Sequence, residues 1–153
     1  MGTVADSYIE MRNIVKVYPP NNVALKDVSV DITLGEIHSI IGENGAGKST
    51  TINAALGLIH KEAGHVSVLG KDDLDNETKE QIGVVFDGSN YPEILSPKKI
   101  NQIMKNIYGS WDEQAYFRLL KQFSLPLDKQ IKQFSKGMKM KLAISVALSH
   151  HSK

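Results

Sequence analysis

The chain has 153 residues, 41% hydrophobic and 23% charged, with a formal net charge of +1, a balance that suits one ordinary folded domain and argues against a dedicated nucleic-acid binder. The absence of cysteine excludes disulfides, thiolate zinc sites and cysteine nucleophiles. No apolar run approaches the ~20 residues of a bilayer-crossing helix, and the first residues lack a basic start leading into a signal stretch, so a cytosolic chain is expected.

In chain order, Tyr8 to Val17 and Asp27 to Thr33 alternate apolar and polar residues, the mark of half-buried antiparallel strands. Pro19-Pro20-Asn21-Asn22 is the turn between them. Glu36 to Ile41 is a short apolar run with β-branched residues, expected to be a buried parallel strand. Thr50 to Ile59 reads as a helix, and His65 to Leu69 as a further strand. The polar stretch Lys71 to Gln81 is expected to be a surface loop, and the continuous apolar run Ile82 to Phe86 a core strand ending at Asp87-Gly88.

Beyond Pro92 the signals are helical. Ser96-Pro97 is an N-cap followed by proline at the first helical position, with Ile100, Ile103, Met104 and Ile107 at helical spacing. Trp111 to Phe123 is a second amphipathic helix, with Tyr116, Leu119, Leu120 and Phe123 on its packing side. The last helix runs from Lys136 to about His150, with Met138, Leu142, Ile144, Ser145 and Leu148 as candidate buried positions.

The chemistry sits between the third strand and the first helix. Ile41 to Thr51, IGENGAGKSTT, places Gly42, Gly45, Gly47, Lys48 and Ser49 in the GxxxxGKS/T spacing of a phosphate-binding loop. A polyphosphate must be approached by backbone N–H groups, which glycines without Cβ and tolerant of positive φ permit. Lys48 would reach the β- and γ-phosphates as a point charge, and the Ser49 hydroxyl would ligate Mg²⁺. The helix opening at about Lys48 turns its unpaired N–H groups and positive dipole end toward the same anion.

ENGAGKSTT together with the upstream VALKDVSVDITLGEI and downstream LGLIHKEAGHVSVLG resembles the ATP-binding subunits of ABC transporters over nearly the whole chain. The resemblance implies an α/β P-loop fold of ABC type. Its parts would be an antiparallel β subdomain over about 1–35, a P-loop core over 36–90, and a helical subdomain with the signature helix over 96–149. It implies nucleotide binding by Gly42, Glu43, Asn44, Gly45, Ala46, Gly47, Lys48, Ser49 and Thr50, the Walker A motif, with Tyr18 stacked on adenine. Phe134-Ser135-Lys136-Gly137-Met138 stands where the family has its signature; Ser135 and Gly137 keep their places and would face a γ-phosphate held by a second subunit. From Lys129 to Lys141 there are five lysines and no acid, a solvated face or an attraction for that phosphate. Asp87 replaces the family's Q-loop glutamine, and either binds Mg²⁺ or forms a plain turn after the strand.

ATP and Mg²⁺ are the implied cofactors. The implied partners are a membrane-spanning permease and a second ATP-binding subunit, with the chain peripheral on the inner face of the membrane and not inserted in it. The degenerate signature and Asp87 look like bacterial exporters of the ABC-2 class. The sequence stops after the signature helix, so the family's Walker B strand, catalytic glutamate and switch histidine are expected to be missing, the core sheet to be incomplete, and hydrolysis by this chain alone to be very slow. One sheet edge and the apolar side of the last helix are expected to be uncovered. The alternatives are a non-catalytic nucleotide-binding module, and a soluble ABC-type ATPase not tied to transport.

Overall fold

The computed structural model describes residues 7–72, 74–87 and 91–152. Asp73 of the polar stretch, Gly88 after Asp87, and Lys153 lie outside the described residues. The chain divides into two compact units, Met1–Thr78 and Lys79–Lys153.

The first unit is a three-stranded antiparallel sheet in the order β2-β1-β3, with β1 at Ser7–Tyr18, β2 at Asn22–Thr33 and β3 at Ala63–Val68. In β1 the buried residues are Met11, Ile14 and Lys16, so the period of two slips by one residue between Met11 and Ile14. An irregularity in the pairing absorbs the slip. Asn13 has φ 51° and its side-chain amide donates to Asp27 Oδ1 at 2.7 Å, while Asp27 has φ 58°. This is how a bulge keeps the inward face apolar on both sides of an extra residue. Met11, Ile14 and Leu25 then form one core with Ala54 and Ala55 of helix α1 (Lys48–Ala55).

Helix α1 is shorter than expected: it stops at Ala55 rather than Ile59. Gly57, at φ +64°, donates its N–H to Ala54 O at 3.2 Å, the left-handed glycine that closes a helix. The stretch from Lys71 to Gln81 is not wholly a loop either. Asp75 Oδ1 accepts the Thr78 N–H at 2.7 Å and starts a five-residue helix, α2 (Asn76–Glu80).

Two further expectations fail. Neither Glu36 to Ile41 nor Ile82 to Phe86 forms a strand ladder among the described residues. Ile37 is 98% exposed and Ile41 90%. A doubly buried parallel strand needs a hydrogen-bonded neighbour and cover on both faces, and among the described residues neither run joins the three-stranded sheet. Gly83 instead lies against the end of the last helix: a Cβ there would stand 2.8 Å from both Ala147 O and Ser152 Oγ.

The second unit is helical. Helices α3 (Pro97–Ile107), α4 (Glu113–Gln122) and α5 (Lys136–Ala147), with a single 3₁₀ turn at Ile131–Gln133, enclose Ile100, Tyr116, Leu120, Leu125, Ile131, Phe134, Leu142 and Val146. Each long helix has a side-chain N-cap. Ser96 accepts from Lys99 N at 3.4 Å, Asp112 from Ala115 N at 2.8 Å and Ser135 from Met138 N at 3.2 Å. The buried Tyr116 hydroxyl donates to Pro97 O at 3.0 Å, tying α4 to the start of α3.

Leu142 and Val146 are buried in this cluster, so the apolar side of the last helix is covered, contrary to expectation. Leu148, expected inside, is 57% exposed, while Ser149 and His150, which follow it beyond the end of α5 at Ala147, are buried in its place. Ile103 and Ile107 of α3 are likewise exposed, whereas Ile100 is buried.

Candidate functional site

The glycine loop runs from Gly42 to Gly47 and feeds directly into α1. Gly45 has φ +86° and Gly47 φ +90°. Gly47 occupies the N-cap position of α1 in the left-handed conformation. A Cβ at position 47 would stand 2.6 Å from Ala24 O and 3.0 Å from Leu25 Cδ2. The glycine therefore lets the loop press its backbone onto β2, a requirement of both torsion and space. At Gly45 the requirement is torsional alone, with nothing within 4 Å of a Cβ.

One side chain holds the loop closed. The Lys48 ammonium donates to Gly42 O at 2.7 Å and to Glu43 O at 2.5 Å. The Thr51 hydroxyl donates to Gly47 O at 2.9 Å, and its N–H reaches the same oxygen at 2.8 Å. The Thr51 pair is the first i→i−4 bond of α1 with the hydroxyl added to the same carbonyl, and it fixes the start of the helix rather than the loop. Residues 42 to 46 are exposed, as is Ser49 at the start of α1, while Gly47, Lys48 and Thr50 are half-buried. The first N–H groups of α1 have no carbonyl four residues earlier within the helix and make its open, positive end.

Tyr18, the last residue of β1, is half-buried. Two residues earlier on the same strand face, Lys16 is 8% exposed and its ammonium lies 5.1 Å from the centre of the Tyr18 ring. That ammonium pairs with Glu62 Oε1 at 3.0 Å, while Glu62 Oε2 accepts the Val17 N–H at 2.8 Å. The Val17 N–H bond, and after it the Lys16 contact, hold the Glu62 carboxyl below its usual range.

In the second unit, Ser135 and Gly137 stand at the start of α5, with the Ser135 side chain engaged as the helix cap. Asp87 is exposed and its Oδ1 lies 3.4 Å from Lys136 Nζ, also exposed. Asp87 thus meets the lysine that opens α5, between Ser135 and Gly137.

A divalent ion is tested by its donors. No cluster of three or more His, Cys, Asp or Glu side chains that could hold a metal occurs among the described residues. The exposed Ser49 hydroxyl is a hard oxygen donor beside the glycine loop. One such oxygen fits magnesium that arrives with phosphate oxygens and keeps its own waters, rather than an ion caged by protein.

The glycine loop, pressed onto the sheet by Gly47, thus leads straight into the open N-terminal end of α1. The profile of the ABC transporter family matches residues 25–153. The chain belongs to that family, as part of one of its ATP-binding subunits. Among curated relatives, it is 35% identical over 135 residues to the ABC transporter ATP-binding protein NatA of Bacillus subtilis, covering 83% of this chain and 55% of NatA. It is 29% identical over 147 residues to the bacitracin transport ATP-binding protein BcrA of Bacillus licheniformis, covering 94% of this chain and 48% of that protein. The chain therefore spans about half the length of these relatives. Among solved structures, an ATP-binding subunit of an ABC transporter superposes with a TM-score of 0.79 at 30% identity, covering 92% of this chain and 61% of the other. The ATP-binding cassette MJ0796, solved as a post-hydrolysis dimer with ADP and Pi, gives 0.77 at 27% identity, over 94% of this chain and 70% of that one.

Proposed function

We propose that this chain binds Mg²⁺-ATP through Gly42, Glu43, Asn44, Gly45, Ala46, Gly47, Lys48, Ser49 and Thr50, as the ATP-binding part of an ABC transporter. The observation that carries the proposal is the Gly47–Lys48 junction. A glycine that must be left-handed seats the loop on β2, and the lysine after it already bonds two loop carbonyls. A phosphate chain laid across the loop offers Lys48 stronger, charged acceptors than those carbonyls, together with the open N–H groups of α1. Ser49 would hold Mg²⁺ against the phosphates, and Tyr18 would stack on the base.

In the complete protein, Ser135 and Gly137 would contact the γ-phosphate bound by a second ATP-binding subunit, and the helical unit would meet a membrane-spanning permease. That assembly would sit on the inner face of the membrane. Hydrolysis belongs to that complete assembly, since activating water needs a positioned carboxylate in addition to the phosphate cradle. The dimeric form and bound ADP and Pi of the MJ0796 cassette support this reading. Both bacitracin transport and ribose import proteins share this segment, as expected if the segment supplies the ATP-driven step and another subunit chooses the cargo.

The proposal is tested by calorimetric titration of the chain and of Lys48→Ala with Mg²⁺-ATP. Saturable binding that weakens at least about tenfold in the variant is expected, roughly the loss of one charge-assisted contact. Equal affinity of the two proteins would reject the loop as the site. In the same titration Asp87→Asn separates its two readings: a lost Mg²⁺ dependence supports metal binding, and an unchanged one leaves Asp87 as the partner of Lys136.

A further inference from the structure

We infer that Lys16 and Glu62 are positioning residues for the nucleotide base, acting through Tyr18; this rests on the reading of Tyr18 as the base-stacking ring. The two residues are 46 apart in sequence and meet because β1 pairs with β3. Val15 is registered opposite Ala63, and the Glu62 N–H donates to Val15 O at 2.9 Å. Glu62 then continues the ladder with its side chain where the strand has ended, its Oε2 taking the Val17 N–H at 2.8 Å. Its other oxygen fixes the Lys16 ammonium at 3.0 Å.

The consequence falls on Tyr18. Lys16 sits over that ring at 5.1 Å from its centre, within the distance at which a cation is attracted to an aromatic face. One face of the ring is thereby occupied by a held cation, and a planar base has the opposite face to stack on. A lysine that is 8% exposed has lost most of its hydration, so the arrangement must be held by its partners, here a carboxylate and a ring. Glu62 also fixes the backbone one residue before Tyr18. Ring orientation and base affinity should therefore depend on a carboxylate that touches neither ring nor base.

The test compares the affinity of the full chain for ATP with that for inorganic tripolyphosphate, both with Mg²⁺, and takes the ratio as the preference for the base. Lys16→Met and Glu62→Gln are expected to lower that ratio about two- to fivefold with tripolyphosphate affinity unchanged, and Lys16→Arg to restore it. Tyr18→Ala is expected to lower it at least as far. If Tyr18→Ala lowers the ratio while Lys16→Met and Glu62→Gln do not, the inference fails and the stacking reading survives. Parallel loss of both ligands in Lys16→Met and Glu62→Gln also overturns the inference, since it marks a general structural role. If Tyr18→Ala itself leaves the ratio unchanged, the stacking reading falls and the inference with it.

Discussion

At position 47 a Cβ would stand 2.6 Å from a backbone oxygen on the neighbouring strand, whereas at position 45 it would meet nothing, although both residues have left-handed torsions. Replacing the two by alanine therefore separates torsional strain from collision. Gly45→Ala is expected to cost about 1 kcal/mol and Gly47→Ala clearly more, because β2 must move as well. Urea midpoints measure this, and equal costs would show that β2 does not confine the loop. A second residue-scale prediction concerns acid. Asp75, whose carboxylate lies against Thr78, accepts its N–H and pairs with Lys71, is lowered from its ordinary 3.8 to about 2. A depressed carboxyl stabilises the fold above its unfolded pKa and loses that contribution as pH falls through the folded one. Its share of stability is then present above about pH 4 and disappears toward pH 2. Asp75→Asn should lower the melting temperature at pH 7 and converge with the parent near pH 2; a constant gap across that range would contradict the linkage.

Among the elements, the helices of the second unit were legible because their starts are written in single residues. Ser96 reads as a cap and accepts the Lys99 N–H; Asp112 and Ser135 are capping types too, and each accepts a backbone N–H three residues on, although neither is singled out for it. Asp112→Ala should cost about 1 kcal/mol, read from denaturant unfolding of the chain; no change would mean that solvent replaces the cap without loss. The glycine loop was legible for the same reason, since its torsions can be met by few residues. What was not legible depends on partners far away in sequence. The bulge at Asn13 involves Asp27, and the buried Lys16 is paired by Glu62, although the alternation of Tyr8 to Val17 gives no sign of either partner. Apolar runs are the harder case. Glu36 to Ile41 and Ile82 to Phe86 have the composition of core strands, but composition records an environment and cannot supply the neighbouring strands that create it. Hydrogen exchange of the chain should be fast at residues 37 to 41 and 84 to 86 and slow at Met11 and Ile14; protection of both runs comparable to β1 would show a ladder.

For the whole molecule, each unit has its own core, one built on a sheet and one on helices, while Ile37 and Ile41 lie almost fully exposed. Exposed isoleucines in a run that joins no strand ladder among the described residues favour self-association. Light scattering of the concentrated chain should fall when Ile37 and Ile41 are both changed to Asp, and unchanged scattering would place the sticky surface elsewhere. The family match runs across both units, over residues 25–153. The segment shared with relatives of differing cargo contains a glycine loop, the sheet that supports it and a helical unit, and under the proposed function the first two bind nucleotide. The most direct test of that account is hydrogen exchange of the full chain with and without Mg²⁺-ATP. New protection is expected at residues 45 to 51, where the loop meets α1, with α4 unchanged. Saturating nucleotide that leaves those amides as they were, or slows exchange evenly over both units, would contradict it.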